Sequence, residues 1–166
     1  MSSHTRIDPR GPRLAATLTT ALLGVVLLTA PSTTATALLV VQTALFAVGA
    51  FAGIQNTPYA WLFKRLVRPR LAPPTELEDA APPRFAQAVG LAFALVALAG
   101  FGTGVTALGL VATGFALAAA FLNAAFGFCL GCELYLLVRR ALPTSRATAD
   151  PNQTTNNGAV SVAAER

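Results

Sequence analysis

TALGLVATGFALAAAFLNAAFGFCLGCELYLLVRR fills residues 106–140, and its reading decides the fold. No charged side chain interrupts it before Glu133. The run does not alternate polar and apolar residues, so a half-buried strand is excluded. It reads as helix, and as helix it is too long for one straight crossing. About 20 apolar residues span the hydrocarbon of a bilayer, whereas residues 106–138 would make roughly 50 Å of helix at 1.5 Å per residue. A tilt, a kink or a break is required. Gly127 and Gly131, on either side of the cysteines, are the obvious places.

Three further runs of the same kind precede it, at about 14–30, 33–54 and 85–101, and none contains a charge. The bulk composition agrees. The chain has 166 residues, of which 54% are hydrophobic and only 11% charged, where soluble domains carry about 25% charge. Its mean hydropathy is +0.60. The expected architecture is an all-α integral membrane four-helix bundle over residues 13–140, with disordered tails at 1–12 and 141–166. An N-terminal secretory signal cleaved after Ala35-Thr36-Ala37 is the competing reading of the start. It would leave no linker before the next apolar helix.

The net charge of +5 does not call for nucleic acid, because basic residues also set membrane orientation. All twelve lie in the N-terminal segment through Arg13, in the Lys64–Arg84 connection, or from Arg139 onward. The connections around Pro31–Ser32 and Gly102–Val105 carry no charge. Basic loops stay cytoplasmic. A multi-pass protein of the bacterial cell membrane, with both termini and the long middle connection in the cytoplasm, is therefore expected.

The chain also repeats itself. Asp8, Pro12, Arg13 and Ala15 match Asp79, Pro83, Arg84 and Ala86. AFAGIQNTPYAWLFKR from Ala50 aligns without gaps on AFGFCLGCELYLLVRR from Ala125, placing Cys129 and Cys132 opposite Ile54 and Thr57. Two helical hairpins in the same orientation follow, as parallel repeats related by an axis along the membrane normal. After the second helix, Tyr59, Leu62, Phe63, Leu66 and Val67 share one helical face, with Lys64, Arg65 and Arg68 on the other. That is a cytoplasmic amphipathic segment suited to the headgroup layer. It could also dock a soluble partner or an anion.

Small residues, such as Gly49 and Gly53 or Gly90 and Ala94, prepare close helix packing. Gln42, Gln87 and Asn123 lie at or near membrane depth and are expected to hydrogen-bond within the bundle. Asn123 lies nearest the cysteines in sequence and is the best of the three for a binding site.

Cys129 and Cys132 are the only cysteines. Positions i and i+3 share a helix face, close to disulfide range. On a continuous helix, Cys132 would lie roughly 10 Å deeper than Arg139. If instead a second helix starts near Phe128, its N-terminus favours a thiolate at Cys129. Glu133 would oppose that by like charge or serve as a base. Three readings stay open. Thiol redox or sulfur relay needs one thiol to attack and one to resolve, and C-x-x-C supplies both. A metal needs about four ligands, so only a dimer could complete a site. Two small buried cysteines in a helix are the third.

RPRLAPPTELEDAAPPRFAQAVG, FLNAAFGFCLGCELY and the opening DPRGPR together resemble domain-of-unknown-function family 4395, over about Arg6 to Arg140. The resemblance implies a small four-helix bacterial membrane protein, common in actinobacteria. It also implies an association with thioredoxin-like and rhodanese-type sulfurtransferase genes, but no fixed catalytic set. The expected function is a membrane thiol component exchanging electrons or sulfane sulfur with such a soluble partner. Cys129 would attack and Cys132 resolve, with Lys64, Arg65, Arg68, Arg139 and Arg140 as docking cations. A permease for a small sulfur species and a structural or assembly protein are the alternatives. No cofactor or resident metal is called for.

Overall fold

A computed structural model describes residues 6–74 and 76–141. Four long helices form the bundle: α1 (Arg10–Thr29), α2 (Thr33–Phe51), α4 (Ala81–Gly102) and α5 (Thr106–Phe126). All four are long and apolar enough to cross a membrane. Two shorter helices, α3 (Pro58–Leu62) and α6 (Leu130–Ala141), follow α2 and α5. In cyclic order the bundle runs α1, α2, α4, α5, so every neighbour is antiparallel. The described residues are all-α apart from strands β1 (Arg6–Ile7) and β2 (Glu78–Asp79), two residues each.

Those strands expose the symmetry. They pair antiparallel, with Ile7 opposite Glu78, and 71 residues separate these two, as they do Arg13 and Arg84. An antiparallel pair that sets a residue against its own repeat mate requires a two-fold axis between them. The matched aspartates then do matched work. Asp8 Oδ1 accepts the Arg10 N–H at 3.0 Å, and Asp79 Oδ1 accepts the Ala81 N–H at 2.9 Å. Each satisfies a donor left free at a helix start.

The matched arginines reach across the axis. Arg13 of α1 donates Nε and Nη2 to the carbonyl oxygens of Ala124 and Ala125, both at 3.2 Å. Arg84 of α4 donates the same two groups to Ala50 and Phe51, at 2.7 and 2.9 Å. Neither α2 nor α5 has a basic residue in its last turn. The cation that suits a helix C-terminus thus comes from the other hairpin.

Within the bundle, apolar burial centres on Leu23, Val26, Leu39, Phe46, Ala94, Ala97, Ala112 and Ala116. Gln42 is fully buried among them. Its Nε2 donates to Thr19 Oγ1 at 3.4 Å, and its Oε1 accepts the Tyr59 hydroxyl at 3.2 Å. This is the interhelical glue expected of an intramembrane amide, and it anchors α3 to the bundle. Burial pushes the Tyr59 phenol above its usual value, with the Thr19 hydroxyl pulling the other way. The phenol therefore stays protonated and keeps donating. Small residues bring α4 and α5 together: a Cβ on Gly100 would lie 2.5 Å from the Gly109 amide nitrogen. That pair escaped the sequence reading, which singled out Gly49, Gly53 and Gly90. Gly49 faces Gln87 and Gly90 faces Phe46, both within the chain.

Three expectations change. Residues 6–12 are not a tail: they form β1, the Asp8 cap and the first turn of α1. The helix expected over 106–138 is two helices, because the chain turns at Gly127. The gapless alignment of the second helices is one residue out of register. Gly53 and Gly127, the two glycines that close α2 and α5 at φ +93° and +70°, are separated by 74 residues. The clamped carbonyls and the cation–π pairs described below keep that same spacing. The tail expected beyond Ala141 lies outside the described residues.

Replacing either Arg13 or Arg84 by Ala is expected to destabilise the solubilised protein by about 1–2 kcal/mol, the value of lost charge-assisted bonds at a helix end. Lys should not restore it, since one ammonium cannot match the planar fork. Thermal unfolding in detergent measures both. Gly100→Ala should lower the same midpoint through overpacking, of order 1–3 kcal/mol. Gly114→Ala, with nothing within 4 Å of the new Cβ, should not.

Candidate functional site at the start of helix six

α5 ends because Gly127 takes a left-handed conformation, φ +70°, that any Cβ-bearing residue resists. The Gly127 N–H donates to the Asn123 carbonyl at 3.0 Å and the Phe128 N–H to the Leu122 carbonyl at 3.3 Å. This nested pair closes a helix at a left-handed residue. Two residues later α6 begins. The Cys129 carbonyl accepts the Glu133 N–H at 3.0 Å, the first helical bond. Cys129 Sγ accepts the Cys132 N–H at 3.3 Å. Cys129 therefore occupies the N-cap of α6 and Cys132 the third helical position. The sulfur takes the place that a serine or threonine oxygen usually fills. Thr57 caps α3 in the usual way, its hydroxyl accepting the Ala60 N–H at 3.2 Å.

The two cysteines are joined as a disulfide, with Cα atoms 5.2 Å apart. Both are partly buried. Phe126, Phe128 and Leu130 around them are exposed. Gly131, inside the C-x-x-C, seats the motif on α4. A Cβ there would come within 2.6 Å of both Ala86 Cα and Ala86 Cβ. One turn on, Tyr135 stacks on Phe85 with centroids 5.7 Å apart. Two contact points four residues apart on α6 thus meet adjacent residues of α4, and α6 packs against α4. The straight-helix estimate that put Cys132 about 10 Å below Arg139 falls with the break at Gly127. The disulfide lies just past the end of α5 instead.

The remaining candidates divide. Glu133 is exposed in the first turn of α6, in the same turn as the cysteines. Asn123 sits in the last turn of α5, half-buried, one turn before Gly127. Arg139 and Arg140 close α6, with the Arg139 guanidinium 5.8 Å from the centre of the Tyr135 ring. Arg65 lies 5.7 Å from the Trp61 ring centre, again 74 residues earlier. Lys64, Arg65 and Arg68 therefore belong to the other half, exposed beyond α3. They share the charged end of the bundle with the cysteines but not their turn. Among the described residues no cluster of three or more His, Cys, Asp or Glu could hold a metal. The sequence reading missed a cavity of about 440 Å³ at this end, bounded by α1, α3 and α4 and remote from the disulfide.

A family model described as a domain of unknown function, DUF4395, matches residues 7–140. The chain belongs to the DUF4395 family. No curated protein and no solved structure matches it. The matched segment of this DUF4395 protein runs from β1 to the last turn of α6. Both halves of the repeat and the whole C-x-x-C turn are inside it.

Enlarging Gly131 should lift α6 off α4. With Gly131→Leu in the reduced protein, alkylation of Cys129 and Cys132 is expected to quicken severalfold over wild type. A fluorogenic maleimide read by stopped flow measures it.

Proposed function

We propose that this multi-pass membrane protein is a thiol–disulfide exchange component of the bacterial cell membrane, working with a soluble thioredoxin-like or rhodanese-like partner in the cytoplasm. One observation carries the reading. The only two cysteines are joined at the N-terminus of a helix, with Cys129 at the N-cap and Cys132 one turn in. Cleavage of that bond leaves a thiolate facing free backbone N–H groups and the positive end of the α6 dipole, which lowers a thiol pKa. Glu133 acts against this by like charge, so the stabilisation is a balance of the two.

The exchange balances as follows. A partner thiolate attacks Cys129 Sγ, the Cys129–Cys132 bond breaks, and Cys132 leaves as a thiolate that takes up a proton. The partner's second thiol, losing its proton, then attacks the mixed disulfide and releases Cys129. Two electrons pass to this protein and the partner ends oxidised. In reverse, Cys129 attacks an oxidised partner and Cys132 resolves. Exposed Phe126, Phe128 and Leu130 offer apolar contact around the sulfur, and Arg139 and Arg140 add charge for an acidic partner. The neutral 30–32 and 103–105 connections at the opposite end support the cytoplasmic assignment of this one.

The orientation and the chemistry are tested together. After reduction, a membrane-impermeant maleimide should label Cys129 in opened cells and not in intact ones. Labelling from outside overturns the assignment. Cys132→Ser should trap a mixed disulfide on Cys129 when challenged with an oxidised cytoplasmic thioredoxin, and Cys129→Ser should trap far less. Equal trapping by both variants removes the division of roles.

A further inference from the structure

The two halves of the repeat differ in how their last segments meet the first helix of each hairpin. In the second half, Gly131 of α6 rests on Ala86 of α4, leaving no room for even a methyl group. Ala86 is the repeat mate of Ala15, and Ala15 lines the 440 Å³ cavity. The space that α6 fills in one half is therefore left open by α3 in the other. By the 74-residue spacing Thr57 stands where Gly131 does, and it is buried with its hydroxyl bonded within its own segment. That segment meets α1 where Phe63 lies against Gly11, and both residues line the cavity. The cavity is a built departure from the repeat.

Its chemistry has two zones. Apolar side chains, among them Ile54 and Phe63, make most of the wall. Arg6, Lys64 and Arg68 reach it from exposed positions. The single acid in its lining is Asp8, whose Oδ1 already accepts the Arg10 N–H. A bare anion would leave the apolar wall uncovered, and a neutral apolar molecule would leave three cations unanswered. The volume falls in the roughly 300–1,000 Å³ range of small-molecule sites.

We infer that this cavity binds an anionic amphiphile, a carboxylate or phosphate head held by Lys64, Arg68 and Arg6 with its apolar part inserted against Ile54 and Phe63. A fatty acid and an anionic phospholipid share this chemistry. The site is separate from the thiol pair and does not depend on it.

The repeat supplies the control. Full-length protein in neutral phosphatidylcholine nanodiscs is titrated with oleate, with phosphatidylglycerol and with inorganic phosphate, and binding is read by native mass spectrometry. Saturable binding of oleate or phosphatidylglycerol is expected, and which binds tighter identifies the source. K64Q/R68Q should weaken it at least tenfold, whereas R139Q/R140Q, the same charge change at the end of α6 and away from the cavity lining, should leave it within twofold. Ala15→Phe, which fills the space, should abolish it, with unchanged far-ultraviolet circular dichroism as the fold check. C129S/C132S should bind as wild type. Equal loss in the two arginine and lysine variants, phosphate binding as tightly as the amphiphiles, or full binding by folded Ala15→Phe would each overturn the inference.

Discussion

The fold depends on carbonyl oxygens that have no helical partner. Where α2 and α5 end, their last carbonyls are unpaired and carry the negative end of the dipole. In lipid such groups are costly. Each helix end is met by an arginine from the opposite hairpin, Arg84 for α2 and Arg13 for α5. Because each hairpin closes the other, neither is complete alone. The same bonds fix where the chain leaves the bundle. Gly53 and Gly127 follow the clamped carbonyls by two and three residues in both halves. The arginines therefore set the points at which α3 and α6 begin.

From those matched exits the halves diverge, and the divergence separates two chemistries. In the second half a glycine between the cysteines lets α6 close on α4, and the N-cap sulfur is held at the surface of the bundle. In the first half a threonine caps the segment, Tyr59 tethers it through Gln42, and a cavity lies beside it. The frame is duplicated; the chemistry is not. A gene duplication that keeps Asp, Arg and Gly at matched places leaves the intervening residues free to specialise, since the closing bonds come from the matched ones.

Much of this was legible in the sequence for definite reasons. Apolar runs of about 20 residues can only be buried or lipid-facing, so the four spans follow from composition. Asp8 with Asp79 and Arg13 with Arg84 announced the repeat, because charged residues beside apolar runs are rare enough to align. The excess length after Thr106 announced a break, and Gly127 was a sound place for it. The register of the second helices was not legible. Ala-Phe and paired basic residues recur by chance in Ala- and Leu-rich helices, and they pulled the alignment one residue away from the glycines. The order in residues 6–12 was hidden too, because two short strands joined only in the folded protein leave no local pattern. The cavity was invisible for a related reason: its walls come from segments far apart in sequence, and it opens where Thr57 stands in place of Gly131.

That difference also bears on how the cysteine pair should be understood. On a continuous helix two thiols at i and i+3 are neighbours without an electrostatic bias between them. At an N-cap they are unequal: Cys129 precedes the helix and faces its free N–H groups, while Cys132 has entered the first turn. The inequality comes from the break at Gly127, and the break is fixed by Arg13 holding Ala124 and Ala125 from across the two-fold axis. A residue of the first hairpin thus holds the helix end after which the two sulfurs of the second take unequal positions.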